Sequence, residues 1–189
     1  MTAAPIASAL DAPLAVAWVR RLIAPREPGV VLGAVDLDGD VTLNTAAMGA
    51  EGLGPDFIAR LATRARARLR EAWEKSPGPD PATLLPGATA VLVDDGITTG
   101  LTMIAAIRWA RRALAERVII AVPVVDRRIW SRVADQADAA AAIEERDDGP
   151  IARSEVYENF RSVDVRQFDR LLAARAAELS RKPVVEPSA

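Results

Sequence analysis

The chain has no cysteine and no histidine. Disulfides, thiolate or imidazole metal sites, and Ser-His or Cys-His nucleophilic catalysis are therefore excluded. Lysine is scarce as well, with only Lys75 and Lys182 beside twenty-two arginines, so acid–base work falls to Asp, Glu, Lys, Tyr or bound water. Neither sign of charge dominates. A formal net charge of −2 and a pI near 5.3 provide no basic field to gather phosphate backbones, and nucleic acid is not an expected partner. The first six residues carry no basic leader, and the longest apolar run, Val118 to Val125, is far short of a membrane span. The expectation is a cytoplasmic protein without a membrane partner.

What is present is an ordinary globular balance, with 50% hydrophobic and 26% charged residues in 189. That length suits one domain, expected over 1–182, with a loose tail at 183–189. Short β-rich runs alternate with amphipathic stretches, which predicts an α/β fold built on a mostly parallel sheet flanked by helices. A helix is expected over about 4–10 and a strand over Pro13–Val19. Val30–Asp36 and Val41–Asn44 form a small antiparallel hairpin around Asp38-Gly39, a favoured turn pair. Ile58, Leu61, Ala65, Leu69 and Trp73 stripe one face of a helix over Pro55–Lys75. Arg64, Arg66, Arg68 and Arg70 read as its solvated face. Four prolines in Ser76–Gly87 stop that helix and require a loop.

A βαβ unit follows: strand Ala88–Asp94, helix from about Thr102 to Ala115, strand Val118–Val125. Beyond it come a helix over Asp126–Ala137, a poor short strand over Ala139–Glu144, and a closing helix over Val163–Leu179.

Chemistry concentrates in Val91-Leu92-Val93-Asp94-Asp95-Gly96-Ile97-Thr98-Thr99-Gly100-Leu101-Thr102-Met103. Three aliphatics run into two carboxylates, a Gly/Thr loop and the first turn of a helix. In an open α/β sheet such a junction lies at the carboxyl end of a strand, where ligand crevices form. Loop amides from Gly96 to Thr102, three threonine hydroxyls and the helix N-terminus together suit one anion. Two carboxylates beside a bare phosphate would repel it, so a donor must intervene. A ribose 5-phosphate supplies both ends, its 2′- and 3′-hydroxyls donating to Asp94 and Asp95 while its phosphate sits in the loop.

At these residues the sequence resembles the type I phosphoribosyltransferases, whose ribose-phosphate loop has the same order of hydrophobics, paired acids and Thr-Thr-Gly-x-Thr. A Walker loop needs Gly-Lys-Ser/Thr and a dinucleotide turn needs Gly-x-Gly-x-x-Gly, and neither is here. Leu101 stands where that family usually has a small residue, narrowing the approach to the phosphate. The resemblance extends over most of the chain to a bacterial group of predicted phosphoribosyltransferases, through Val19-Arg20-Arg21, Ile23-Ala24-Pro25, Leu32-Gly33-Ala34-Val35 and Val156-Tyr157-Glu158-Asn159-Phe160. It implies transfer of ribose 5-phosphate from 5-phosphoribosyl 1-pyrophosphate to an acceptor such as a nitrogen base. Asp94 and Asp95 would hold the ring at the catalytic centre, and Gly96, Ile97, Thr98, Thr99, Gly100, Leu101 and Thr102 would bind the phosphate. Arg20 and Arg21 would lie near the leaving pyrophosphate, or else be plain surface residues. Magnesium would be bound mainly through the substrate, with no all-protein metal cage. The ligand is thus phosphoribosyl pyrophosphate or a nucleoside monophosphate. Tyr157 and Phe160 would stack on a base or anchor the last helix.

One departure stands out. The family begins with a strand and a short glycine-containing loop that binds pyrophosphate, whereas Met1–Leu10 aligns with the helix that follows them. The strand's place beside Val91–Asp95 would then be an open edge, which favours association, and a homodimer is the expectation. The alternative function that follows is a non-catalytic ribose-5-phosphate or nucleotide-binding regulatory module. A further rival is Val35-Asp36-Leu37-Asp38-Gly39-Asp40, which resembles the Asp-x-Asp-Gly motif of haloacid-dehalogenase-like phosphatases, with Asp36 as nucleophile and Asp38 as acid. Asp40 after the glycine and the position of Lys75 fit that pattern poorly, and a hairpin turn is the simpler account.

Overall fold

A computed structural model describes residues 2–147, Tyr157 and residues 165–181. Two three-stranded sheets share one helix. The first sheet is antiparallel, in the order β1 (Val19–Ile23), β2 (Val31–Asp36), β3 (Val41–Leu43). Gly39, at φ +101, makes the β2–β3 turn as the sequence predicts. The second sheet is parallel, in the order β4 (Thr89–Val93), β5 (Arg117–Asp126), β6 (Ala139–Arg146). The α/β class and the antiparallel β2–β3 hairpin are both as expected, and β1 adds a third strand to that hairpin.

Helix α5 (Leu101–Arg112) lies between the sheets, and eight of its twelve residues are buried. Met103, Ile104, Ile107, Trp109 and Ala110 pack with Val118, Ile120 and Val122 of the parallel layer. Leu101 and Ala105 pack on Ala34 of the antiparallel layer. A helix that must satisfy two layers has to be apolar nearly all round. Helix α3 (Pro55–Glu74) has proline in its first turn and buries Ile58, Ala62, Ala65 and Leu69 against Trp18, Leu22, Leu32 and Val35. Its arginines are exposed except Arg66, whose Nε donates to the Leu37 carbonyl at 2.9 Å and holds the hairpin turn.

Several expected elements differ. Pro13–Val19 is not a strand. Residues 12–18 have no regular secondary structure, and the strand begins where that segment ends, at Val19. A strand needs a neighbouring edge to take its hydrogen bonds; Pro13 has no donor and the segment finds no partner strand among the described residues. Its apolar residues serve packing instead, with Trp18 buried. In contrast, the alanine-rich stretch expected to be a short, poor strand is eight residues long and pairs in parallel with β5 from Ile119↔Ala139 to Asp126↔Arg146. The long edge of β5 overrides alanine's weak β-propensity.

Helix α1 (Ala3–Ala9) falls where expected. Helix α2 (Thr45–Ala50) has no counterpart among the expected elements; Asn44 caps it by accepting from the Ala47 amide at 3.1 Å. The proline-rich loop contains one helical turn, α4 (Pro81–Leu84), capped by Asp80. Helix α6 (Arg127–Ala134) is shorter than the stretch read from sequence, because Asp126 is its cap and not its first residue. Helix α7 (Val165–Ser180) closes the chain, with Leu172 buried. Its buried Arg175 donates to the carbonyls of Ala7 and Ala12, both at 3.0 Å, fastening α7 to the α1 region. Val163, Phe160 and the 183–189 tail lie outside the described residues.

Among the described residues strand β4 is an edge strand, paired with β5 alone. An apolar groove of about 290 Å³ runs between it and the segment 12–17, lined by Leu14, Val16, Ala90 and Leu92 among others. The open edge foreseen from sequence is therefore present.

Candidate functional site: the strand-to-helix loop after β4

The chain leaves β4 at Val93 and enters α5 at Leu101, so residues 94–100 form a loop at the carboxyl end of a parallel strand. Two glycines make that path feasible. Gly100 has φ +73, and a Cβ there would sit 2.4 Å from Cγ2 of Val133. A Cβ on Gly96 would lie 2.9 Å from Cγ1 of Val124. Any larger residue would lift the loop off β5 and α6.

The loop is laced to the parallel sheet by its backbone. The Ile97 amide donates to the Val124 carbonyl at 3.0 Å, and the Asp126 amide donates to the Ile97 carbonyl at 2.9 Å. Ile97 is buried. This corrects one expectation: the amides from 96 to 102 do not form one continuous cradle, because that of Ile97 is committed to β5. The Asp126 carboxylate accepts from the amide and guanidinium of Arg128, and those hydrogen bonds hold its pKa below the ordinary carboxylate value. A fixed anion thus caps α6 and steadies the residue that grips Ile97.

Asp94, Asp95, Gly96, Ile97, Thr98, Thr99, Gly100 and Thr102 border one open cleft of about 480 Å³, and so do Arg20 and Arg21. The two acids are half-buried, and the Asp94 carboxylate accepts from the Asp95 amide at 2.8 Å. Across from them, alternation along β1 gives Arg21 the pleat it shares with Val19 and Ile23, which also line the cleft, while Leu22 points into the core. The expected residues therefore border one cleft, with two qualifications. The first is Arg20, which alternates onto the opposite pleat from Arg21. The second is Leu101, whose side chain is buried against Ala34 and Ala105, so what it can offer a ligand is a first-turn backbone amide.

Other residues at the site escape a reading of the sequence. Val19 and Ile23 of β1 and Met103 of α5 complete the cleft wall, and nothing but their place beside motif residues marks them. Arg132 of α6 donates to the Thr99 carbonyl at 3.1 Å; it is one arginine among many and carries no signature. Tyr157, which the sequence marks as either stacking on a base or anchoring the last helix, donates through its hydroxyl to the Asp95 carbonyl at 2.7 Å and is thereby tied to the site loop.

The rival phosphatase motif does not form a site. Asp36 is buried, accepts from the amides of Gly39 and Asp40 at 2.9 Å each, and is ion-paired with Arg112. A carboxylate so enclosed builds a turn and is closed to a phosphate ester. Among the described residues no helix is long and apolar enough to cross a membrane.

Comparison with known proteins points the same way as the loop. The family model described as the phosphoribosyl transferase domain matches residues 1–151. Two Mycobacterium tuberculosis proteins, from strains CDC 1551 and H37Rv, each named "Putative phosphoribosyl transferase", are 33% identical over 138 residues. That match covers 73% of this chain but 31% of each relative, so the chain spans about a third of their length. The crystal structure of TT1426 from Thermus thermophilus superposes with a TM-score of 0.69 at 30% identity, covering 91% of this chain and 81% of that one.

Proposed function

Given that the chain belongs to the phosphoribosyl transferase domain family, we propose that its cleft binds 5-phosphoribosyl 1-pyrophosphate and transfers ribose 5-phosphate to a nitrogen-base acceptor. The observation that carries this reading is the convergence of an acid pair, an amide-bearing loop and a basic pair on one cleft. The 5′-phosphate would take loop amides and threonine hydroxyls beside the N-terminus of α5. Asp94 and Asp95 would accept from the ribose hydroxyls, and their negative charge would lie beside the ring as positive character develops at carbon 1. Arg21 would face the departing pyrophosphate, with Arg20 at the cleft border adding positive charge from the neighbouring pleat.

Magnesium fits this donor set in a limited way. No group of three potential ligands stands together among the described residues, so Asp94 and Asp95 could supply at most part of a shell that the diphosphate oxygens and water would complete. When bound, the ion would neutralise leaving-group charge.

Calorimetry with phosphoribosyl pyrophosphate and magnesium tests the assignment. Wild type should bind, and Asp94→Asn should weaken binding at least tenfold, about 1.4 kcal/mol. Pyrophosphate release on adding purine and pyrimidine bases then separates a transferase from a ribose-phosphate-binding regulatory module, which binds and releases nothing. Absence of binding by the wild type defeats both.

A further inference from the structure

The loop after β4 presents its backbone in an alternating pattern. The carbonyls of Asp95, Ile97 and Thr99 accept from the Tyr157 hydroxyl, the Asp126 amide and the Arg132 guanidinium respectively. None of those three donors borders the cleft. In a planar trans peptide the C=O and the next N–H point in opposite directions. Fixing carbonyls 95, 97 and 99 on donors that do not border the cleft therefore turns the amides of Gly96, Thr98 and Gly100 away from those donors, and all three of these residues border the cleft. The intervening Ile97 amide goes to Val124.

We propose that Tyr157 and Arg132 are positioning residues, which orient the Gly96 and Gly100 amides towards a bound phosphate ester without touching it. The middle carbonyl of the three needs no side chain, because Asp126 holds it with its backbone. The two outer ones depend on side chains from α6 and from the late segment around Tyr157. Glycine at 96 and 100 adds nothing that would block an anion's approach to either amide. A guanidinium directed at a carbonyl also places positive charge behind the loop. This inference rests on the ribose-phosphate reading of the cleft and adds to it the residues that set its backbone.

The test uses the full chain, with ribose 5-phosphate and inorganic phosphate as separate probes. Tyr157→Phe removes one hydroxyl, Arg132→Met removes the guanidinium at similar volume, and Arg132→Lys keeps a donor. Each of the first two should weaken ribose 5-phosphate about five- to tenfold by calorimetry, as expected for one misdirected hydrogen bond to a charged group. Arg132→Lys should recover part of that loss. In amide-resolved NMR, the ligand-induced shift of Gly96 should shrink in Tyr157→Phe while that of Gly100 persists, and the reverse should hold in Arg132→Met. A general loss of structure would move both amides in both variants, and that result, or unchanged affinity in both, would overturn the proposal. Should Arg132→Met fail to fold, Tyr157→Phe and Arg132→Lys still decide it through the same crossed pattern. A wild type that binds neither probe would overturn the ribose-phosphate reading and this inference with it; a wild type that binds, with variants that bind equally well, would overturn this inference alone.

Discussion

Arg112, in the last turn of α5, is ion-paired with Asp36 at the end of β2, and its other terminal nitrogen reaches Asp40 at 2.9 Å. The helix that begins at the candidate phosphate loop is thus pinned at its far end to the hairpin turn of the other sheet. Asp36 is buried and receives two backbone amides as well, so its charge is fully engaged.

Replacing Asp36 by Ala should therefore cost stability and leave the ligand site alone. Removing Asp36 leaves the two turn amides without their acceptor and Arg112 with Asp40 only, at a cost of about 2 kcal/mol. Urea unfolding should show that loss, while the affinity for ribose 5-phosphate stays within about twofold of wild type. Retained folding with lost binding would contradict this account.

Gly100 and Gly52 offer a paired comparison. Both have positive φ, +73 and +63, but only Gly100 would drive a Cβ into a neighbour, the buried Val133. Gly52→Ala should cost about 1 kcal/mol from backbone strain alone. Gly100→Ala should cost about 3 kcal/mol and also weaken ribose 5-phosphate. Equal destabilisation in the two variants would mean that the loop does not rest on α6 as described.

Arg21 should distinguish donor from product. If it faces the departing pyrophosphate, Arg21→Met should weaken phosphoribosyl pyrophosphate about tenfold while changing ribose 5-phosphate about twofold or less. Titrations of the two ligands under matched salt give the comparison, and equal losses for both would place Arg21 elsewhere.

Acid should destabilise the fold through two carboxylates outside the Asp94–Asp95 pair. Hydrogen bonding to Arg128 holds Asp126 below its ordinary value of 3.8. The Val118 amide at 2.7 Å, with Arg111 nearby, does the same for Asp138. A carboxyl depressed in the folded state binds protons more weakly there than in the unfolded chain. Its contribution is fully present above the unfolded value and is lost as pH falls through the folded one. Urea midpoints should hold steady from neutral pH to about 5 and decline below about 4, and Asp138→Asn should make that decline shallower. A midpoint unchanged down to about pH 3 would remove both residues from the account.

Much of this was legible in the residues themselves, for identifiable reasons. Val91 to Val93 are aliphatic because β4 packs inside, and Asp94-Asp95 interrupts that run where the chain turns out to the cleft. Ile58, Ala65 and Leu69 fell at helical spacing and are buried. What escaped notice depended on partners far along the chain. Pro13–Val19 has a strand's composition, yet its residues 13–17 lie across a groove from the β4 edge and make no ladder with it among the described residues. The strand expected over Ala139–Glu144 runs on to Arg146, an extension that its composition does not signal and that the length of β5 allows. Arg132 acts on a main-chain carbonyl, and a carbonyl leaves no trace in an amino-acid pattern; Tyr157 is marked by the sequence, but its hold on the Asp95 carbonyl is not.

The position of α5 has a thermodynamic corollary. Because Ile107 and Trp109 belong to one layer and Leu101 and Ala105 to the other, neither sheet can melt without stripping the same helix of half its neighbours. The two halves should lose structure in one cooperative transition, with Trp18 and Trp109 reporting it from opposite cores. Because the cleft is framed by β1 on one side and the start of α5 on the other, a ligand seated there would raise the melting temperature of both halves together.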